Sequence, residues 1–358
     1  MNAHPDTAWQ TLLDAGLVSG SEPPAGELES PWYVRLMLGV AGWIAALFLL
    51  GFVAAGLAWV FRSEQASFYT GLSMLGLAWL LLWKFRTQDF TTQFALAVSF
   101  AGQVLFAFGV FGVFGTELES TAAWMIMTLS QATLALVMPN TIHRLWSAMA
   151  ATISFYMLLY SLHLAPIAPA IILAAAAWAW LNEFSWPRLG GAVRPVAYGL
   201  LLGLVMMDVA GGALQPLAEM NVGLEMQTLL APWLGDLLTG AVLLGVVWAL
   251  LRRGQAAFSR PLTIAVLAAV ILLVLVSFKA PGLCVGVCII VLGFAHGNRI
   301  LTGLGIAALL VYVSSYYYTL DETLLVKSQV LAVSGVVLLL ARWLMRRWLI
   351  DTREPDHA

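Results

Sequence analysis

RPLTIAVLAAVILLVLVSFKAPGLCVGVCIIVLGFAHGNR, residues 260–299, decides the fold. Two apolar runs, near 262–278 and 281–297, are joined by the tight turn Phe278-Lys279-Ala280-Pro281-Gly282. Formal charge within the stretch is confined to Arg260, Lys279 and Arg299. An apolar run of about 17–25 residues is what an α-helix needs to cross a bilayer. Backbone groups in hydrocarbon find no water to bond, so only helices and closed barrels can span it. The runs do not alternate in the ten-residue rhythm of a barrel, so they read as helices.

The rest of the chain repeats this pattern. Of 358 residues 61% are hydrophobic and only 10% charged, with a mean hydropathy of +0.89. Soluble domains carry roughly 25% charged residues to face water. Too few charges are present here to coat a globule, so the apolar surface is expected to face lipid. Spans are expected near 34–60, 67–83, 92–114, 121–138, 145–164, 165–182, 194–214, 233–251, 262–278, 281–297, 300–318 and 327–349. The junction at Leu164-Ala165-Pro166 is the least sharply marked.

Charge tests that count. Cytoplasmic loops collect Lys and Arg. With twelve spans, fourteen of the 17 basic residues fall on the side that holds both tails, among them Arg144, Arg194, Arg252, Arg253, Arg260 and Arg299. The other side holds Arg62, Lys279 and Lys327, together with Glu64, Glu117, Glu119, Glu219, Glu225, Asp321 and Glu322. A one-span error in the middle would invert the second half and destroy this separation. The expected fold is therefore all-α: a polytopic integral membrane helix bundle of about 12 transmembrane helices, both termini cytoplasmic. Residues 1–30 form a cytoplasmic tail, 31–350 the membrane domain and 351–358 a second tail.

In the first tail, Trp9, Leu12, Leu13 and Leu17 recur at helical spacing after the capping residue Asp6, which predicts a short amphipathic helix. The tail is acidic, with no Lys or Arg before residue 31, so it does not read as a secretory signal.

Ionisable residues at membrane depth cost about 2.5–3.5 kcal/mol on insertion scales, so each needs a reason. Asp208, in Met206-Met207-Asp208-Val209-Ala210-Gly211-Gly212, lies about 20 Å along its helix from Pro195 at 1.5 Å per residue. It is a candidate proton or cation site, with Gly211-Gly212 expected to break the helix beside it. The competing reading is a structural pair with Lys279 or Lys327. Asp236 opens a span from the outside, and Lys279, Lys327 and Tyr316 fall on the same side. These five residues form the candidate ligand or ion pathway, although snorkelling lysines and interfacial tyrosines explain some of them equally well. The longest outer loop is expected at about 213–232. Gln103 and Gln131 lie mid-span and are expected to hydrogen-bond between helices. The pairs Gly199/Gly203, Gly282/Gly286 and Gly293/Gly297 are expected to let helices approach closely.

Neither His163 nor His296 has a partner at metal-binding spacing, and Cys284 and Cys288 read as small packing residues. No cofactor and no metal is expected. No basic stripe for nucleic acid occurs. Metalloprotease, nucleophile-elbow and phosphate-loop motifs are absent from the sequence, so no enzyme is expected.

The segment Leu292-Gly293-Phe294-Ala295-His296-Gly297-Asn298-Arg299 with Gly303-Leu304-Gly305-Ile306 has a distinct character. So have Tyr316-Tyr317-Tyr318, Thr323-Leu324-Leu325, Lys327-Ser328, and Pro31-Trp32-Tyr33-Val34-Arg35 leading into Gly42-Trp43. Together, over about residues 31–345, they resemble a bacterial inner-membrane family catalogued as domain of unknown function 4401. The resemblance implies a multi-pass protein of the bacterial inner membrane with no established activity. It also implies partners by gene neighbourhood: a related multi-pass membrane protein, and a small membrane-anchored protein named for a GDYxxLxY motif. Two function classes stay open beside each other. One is a transporter or permease with an outward-facing polar cavity. The other is a non-catalytic scaffold or assembly subunit of a membrane complex. An enzyme acting on lipid-linked substrates stands behind both.

Overall fold

The computed structural model describes residues 63–85, 89–115, 120–185, 190–220, 229–231, 233–253, 260–278 and 282–319, with isolated positions besides. The expected N-terminal tail helix, first and last spans, Lys279, Lys327 and the C-terminal tail lie outside the described residues. So do the side chains of Asp208 and Tyr316, whose backbone is helical.

All regular structure among the described residues is helical. The α-helices are α1 (Glu64–Lys84), α2 (Asp89–Phe114), α3 (Thr121–Val137), α4 (Thr141–Ser161) and α5 (Ala168–Leu181). They continue with α6 (Gly190–Met220), α7 (Trp233–Arg253), α8 (Arg260–Ser277), α9 (Leu283–Ala295) and α10 (Arg299–Thr319). Short 3₁₀ turns precede α5 at Ala165–Ile167 and follow it at Glu183–Ser185. Three of these helices are long and apolar enough to cross a membrane: Glu64–Lys84, Phe90–Phe114 and Trp233–Arg253. α4 is as long as α1 but more polar, since it carries His143, Arg144, Ser147, Thr152 and Ser154. The positions of α1–α10 follow the second to eleventh runs read from the sequence.

Two details differ from the sequence reading. The helix carrying Asp208 runs unbroken through Gly211-Gly212 to Met220, so its glycines do not interrupt it and the following loop is shorter than expected. A continuous ladder of backbone hydrogen bonds outweighs the modest helix penalty of about 1 kcal/mol per glycine. Gly282 and Gly297 are turn residues, with φ of 88° and 60°, a left-handed conformation that glycine adopts without a Cβ penalty.

The chain divides into two compact units, 1–113 and 114–358. In the first, Ser63 caps α1 by accepting from the Ala66 amide at 3.3 Å, and Glu64 and Lys84 complement the helix dipole at either end. α1 and α2 meet through glycines. A Cβ at Gly71 would strike the Phe106 backbone, one at Gly109 the Phe68 backbone, and one at Gly102 the Met74 Cβ at 2.9 Å. Phe68 and Phe106 pack beside these contacts with ring centroids 5.1 Å apart.

The second unit, α3–α10, is built around α5 and α9, the two shortest helices. At 1.5 Å per residue they are about 20 Å long, against about 30 Å of hydrocarbon. Their side chains are buried accordingly: Leu173, Ala176 and Trp180 on α5, and Cys288, Ile289 and Leu292 on α9. α6 lies on α4 through Gly199 and Gly203, where a Cβ would meet Ala148 Cβ at 2.6 Å and Thr152 Cβ at 2.7 Å. α9 and α10 form a hairpin zipped by Gly286 against Leu309, Gly293 against Thr302 and Gly305 against Ile290. Small residues at these crossings let the helix backbones approach closely.

Candidate functional site

Polar side chains of the second unit gather at its two opposite ends, and the ends are built differently. The His296 end joins the termini of α5, α6, α7, α9 and α10. Its centre is the turn Ala295-His296-Gly297-Asn298. The Gly297 amide donates to the Phe294 carbonyl at 3.1 Å and the Asn298 amide to the Gly293 carbonyl at 2.8 Å. That pair of bonds is the Schellman arrangement, which satisfies the last carbonyls of a helix through a left-handed residue. Asn298 then caps α10, its Oδ1 accepting from the Ile300 and Leu301 amides at 3.1 Å each. One residue thus finishes one helix and starts the next.

The side chains of this turn reach across the unit. Asn298 Nδ2 donates to the Tyr198 hydroxyl of α6 at 2.6 Å. The two His296 ring nitrogens lie 2.9 Å from the Leu292 carbonyl and 3.0 Å from the Trp180 carbonyl of α5. With its proton on Nε2, the ring ties α9 to α5. Trp180, fully buried, stacks edge-on against Tyr198 and His296 at 5.0 and 5.8 Å. Around it, Arg194 pairs with buried Glu183, and Arg253 donates to the Leu181 carbonyl and, at 3.4 Å, to Asn182 Oδ1. A cation against the last carbonyls of α5 answers the negative end of that helix. The family-like motif His296-Gly297-Asn298 is therefore a structural latch. Glu183, Trp180 and Tyr198 were not singled out in the sequence, although an acid beside Arg188 and Arg194 was a visible cue.

The opposite end carries Asp236 in the first turn of α7. Gly235 abuts the Pro166 carbonyl, and Thr239 turns its hydroxyl back to the Gly235 and Asp236 carbonyls at 3.1 and 3.0 Å. Gly240, one turn beyond Asp236, lies against Val274 of α8, whose Cγ1 would be 2.6 Å from an added Cβ. Ser277 follows Val274 by three residues on the same face. The carboxylate and hydroxyl therefore flank the same crossing. Cys284, at the start of α9, faces both Ser277 and Asp236. Gly282 of the α8–α9 turn rests on the Tyr312 ring.

This end is not saturated. The Ser277 hydroxyl is fully buried beside the Cys284 thiol, and among the described residues no oxygen or nitrogen lies within hydrogen-bond distance of it. Among the described residues, no hydrogen bond or ion pair reaches the half-buried Asp236 carboxylate. Of the five residues proposed from sequence, Asp236 is the one whose side chain is described. Lys279 follows Ser277 by two positions along the chain, and Tyr316 follows Tyr312 by one helical turn. Ser277 was missed, although it is the single polar residue between Thr263 and Lys279. Gln131, expected to bond between helices, is buried with its Oε1 unpartnered. Among the described residues no group of three or more His, Cys, Asp or Glu side chains is placed to hold a metal.

No curated protein and no solved structure matches the chain. The sequence pattern of one family matches residues 31–348, nearly the whole length and every helix described above. The latch and the Asp236 end both fall within that match, and the chain belongs to the family described as Domain of unknown function (DUF4401).

Proposed function

We propose that this chain is a twelve-span protein of the bacterial inner membrane, both termini cytoplasmic, that moves a small ion or solute through a polar site at the Asp236 end. With the basic-residue asymmetry as guide, the His296 end faces the cytoplasm and the Asp236 end faces outward. One observation carries the reading. An acid without a described partner stands beside the buried Ser277 hydroxyl, whereas the acid described at the other end, Glu183, is paired with Arg194. Ionisable groups inside a membrane are costly and mark ion and proton pathways. Lys279, Lys327, Tyr316 and Asp208 are the further residues proposed to shape this pathway.

Proteoliposomes adsorbed to a solid-supported membrane test it. A step from choline chloride to sodium chloride, or an acid step, is expected to give a transient current with the native chain and none with Asp236→Asn. The absence of current from the native chain under both steps would overturn the reading.

A second reading, an assembly subunit, is favoured by the cross-tied His296 end, which holds five helices in one arrangement. It takes as partners a related multi-pass protein and a small membrane-anchored protein. Gentle purification from the native membrane, with co-purifying chains weighed, distinguishes it: a stoichiometric partner supports assembly, a single homogeneous species supports transport.

A further inference from the structure

The donor atoms at the Asp236 end have a recognisable chemistry. The one charged side chain described there is the Asp236 carboxylate; Glu183, the second unit's other acid with a described side chain, is at the far end and paired. Ser277 offers a hydroxyl oxygen whose neighbour is the Cys284 thiol, a group it can donate to while its lone pairs stay open to a cation. Ser277 is also the last residue of α8, so the final carbonyls of that helix, the negative pole of its dipole, lie at the same level. Cys284 is a buried free thiol beside them. Among the described residues, one carboxylate, one hydroxyl and helix-end carbonyls make a hard, all-oxygen set with one negative charge. Calcium takes six to eight oxygens and usually several carboxylates, and magnesium keeps waters and prefers phosphate-rich sites. Soft metals want thiolates. A monovalent hard cation balances the charge and takes carbonyl oxygens readily, as the C-terminal ends of interrupted helices do for sodium in transporters.

We infer that Asp236, Ser277 and the C-terminal carbonyls of α8 form a sodium site. The inference rests on the reading of the Asp236 end as the transport site, and names the ion that occupies it.

The test uses the full chain in detergent, melted in sodium chloride and in choline chloride at equal ionic strength and fixed pH. Sodium is expected to raise the melting temperature in a saturable way, by about 5 °C at saturation. Asp236→Asn and Ser277→Ala are expected to melt cooperatively in choline and to lose the sodium shift. A second readout needs no change at the ligands. In a Cys288→Ser background, sodium is expected to slow N-ethylmaleimide labelling of Cys284 several-fold, measured by intact mass. Equal melting and equal labelling in the two salts would overturn the sodium site. If acid-step currents persist in that case and vanish in Asp236→Asn, the ion is a proton and the transport reading stands. If instead Lys279→Ala destabilises the chain as much as Asp236→Asn, and the double variant recovers much of the loss, the acid is half of a structural ion pair and both readings fall.

Discussion

The two ends of the second unit use their polar side chains in different ways. At the His296 end the side chains are chosen so that helix termini, which expose orphan amides and carbonyls, are answered by Asn298, His296 and Arg253. At the Asp236 end a carboxylate and a hydroxyl are placed where they answer nothing described. An unmatched buried polar group costs about 1–3 kcal/mol. The His296 end carries one such cost as well, at the buried Trp180 Nε1, so what sets the Asp236 end apart is an ionisable group without a described partner.

That contrast can be broken by substitution. The largest effect is expected from Asp236→Asn: complete loss of the ion-step current, with the melting temperature unchanged or raised because a costly charge is removed. A drop in melting temperature equal to that of the latch variants would erase the difference between the ends. Next is Asn298→Ala, which removes the α10 cap and leaves the Tyr198 hydroxyl without its donor. Caps are worth about 0.5–2 kcal/mol and a stranded buried group about 1–3 kcal/mol, so a loss of about 2–3 kcal/mol is expected in reversible detergent unfolding. Asn298→Asp, which keeps the cap but cannot donate to Tyr198, should fall between Ala and the native residue.

Smaller again is Gly297→Ala. A Cβ there meets nothing within 4 Å, so only the left-handed backbone resists it, at about 1–2 kcal/mol. The smallest and most discriminating change is Ser277→Ala. Deleting an unpartnered buried hydroxyl should stabilise the chain in sodium-free medium by about 1 kcal/mol, opposite in sign to every substitution at the latch. Destabilisation by Ser277→Ala in choline would show that its hydroxyl has a structural partner.

Much of the helical plan is written in the chain because it is local. Apolar runs punctuated by Asn140, Pro166 and Asn298 set helix starts, and the described helices follow them closely. Pro139 stops α3 and Asn140 caps α4, its side chain accepting from the His143 amide at 3.0 Å. The site was legible only in part. Asp236 stands out as an acid opening an apolar run, but nothing in local spacing says that Ser277 and Cys284 meet it, since that depends on how α7, α8 and α9 cross. The glycines show the same limit from the other side. Gly293 and Gly297 share a helix-like spacing, yet one packs against Thr302 and the other turns the chain, because a period cannot reveal where a helix stops.

The reach of the latch has a consequence for assembly. The α9–α10 hairpin joins neighbours in the chain, so it closes at low entropic cost and early. The bonds from His296 to Trp180 and from Asn298 to Tyr198 instead bridge 116 and 100 residues. They form only after α5 and α6 have been threaded and the hairpin has arrived beside them. The turn Ala295-His296-Gly297-Asn298 is thus a checkpoint of completion: a chain that stalls during insertion, or loses one helix, leaves that turn open at the membrane surface.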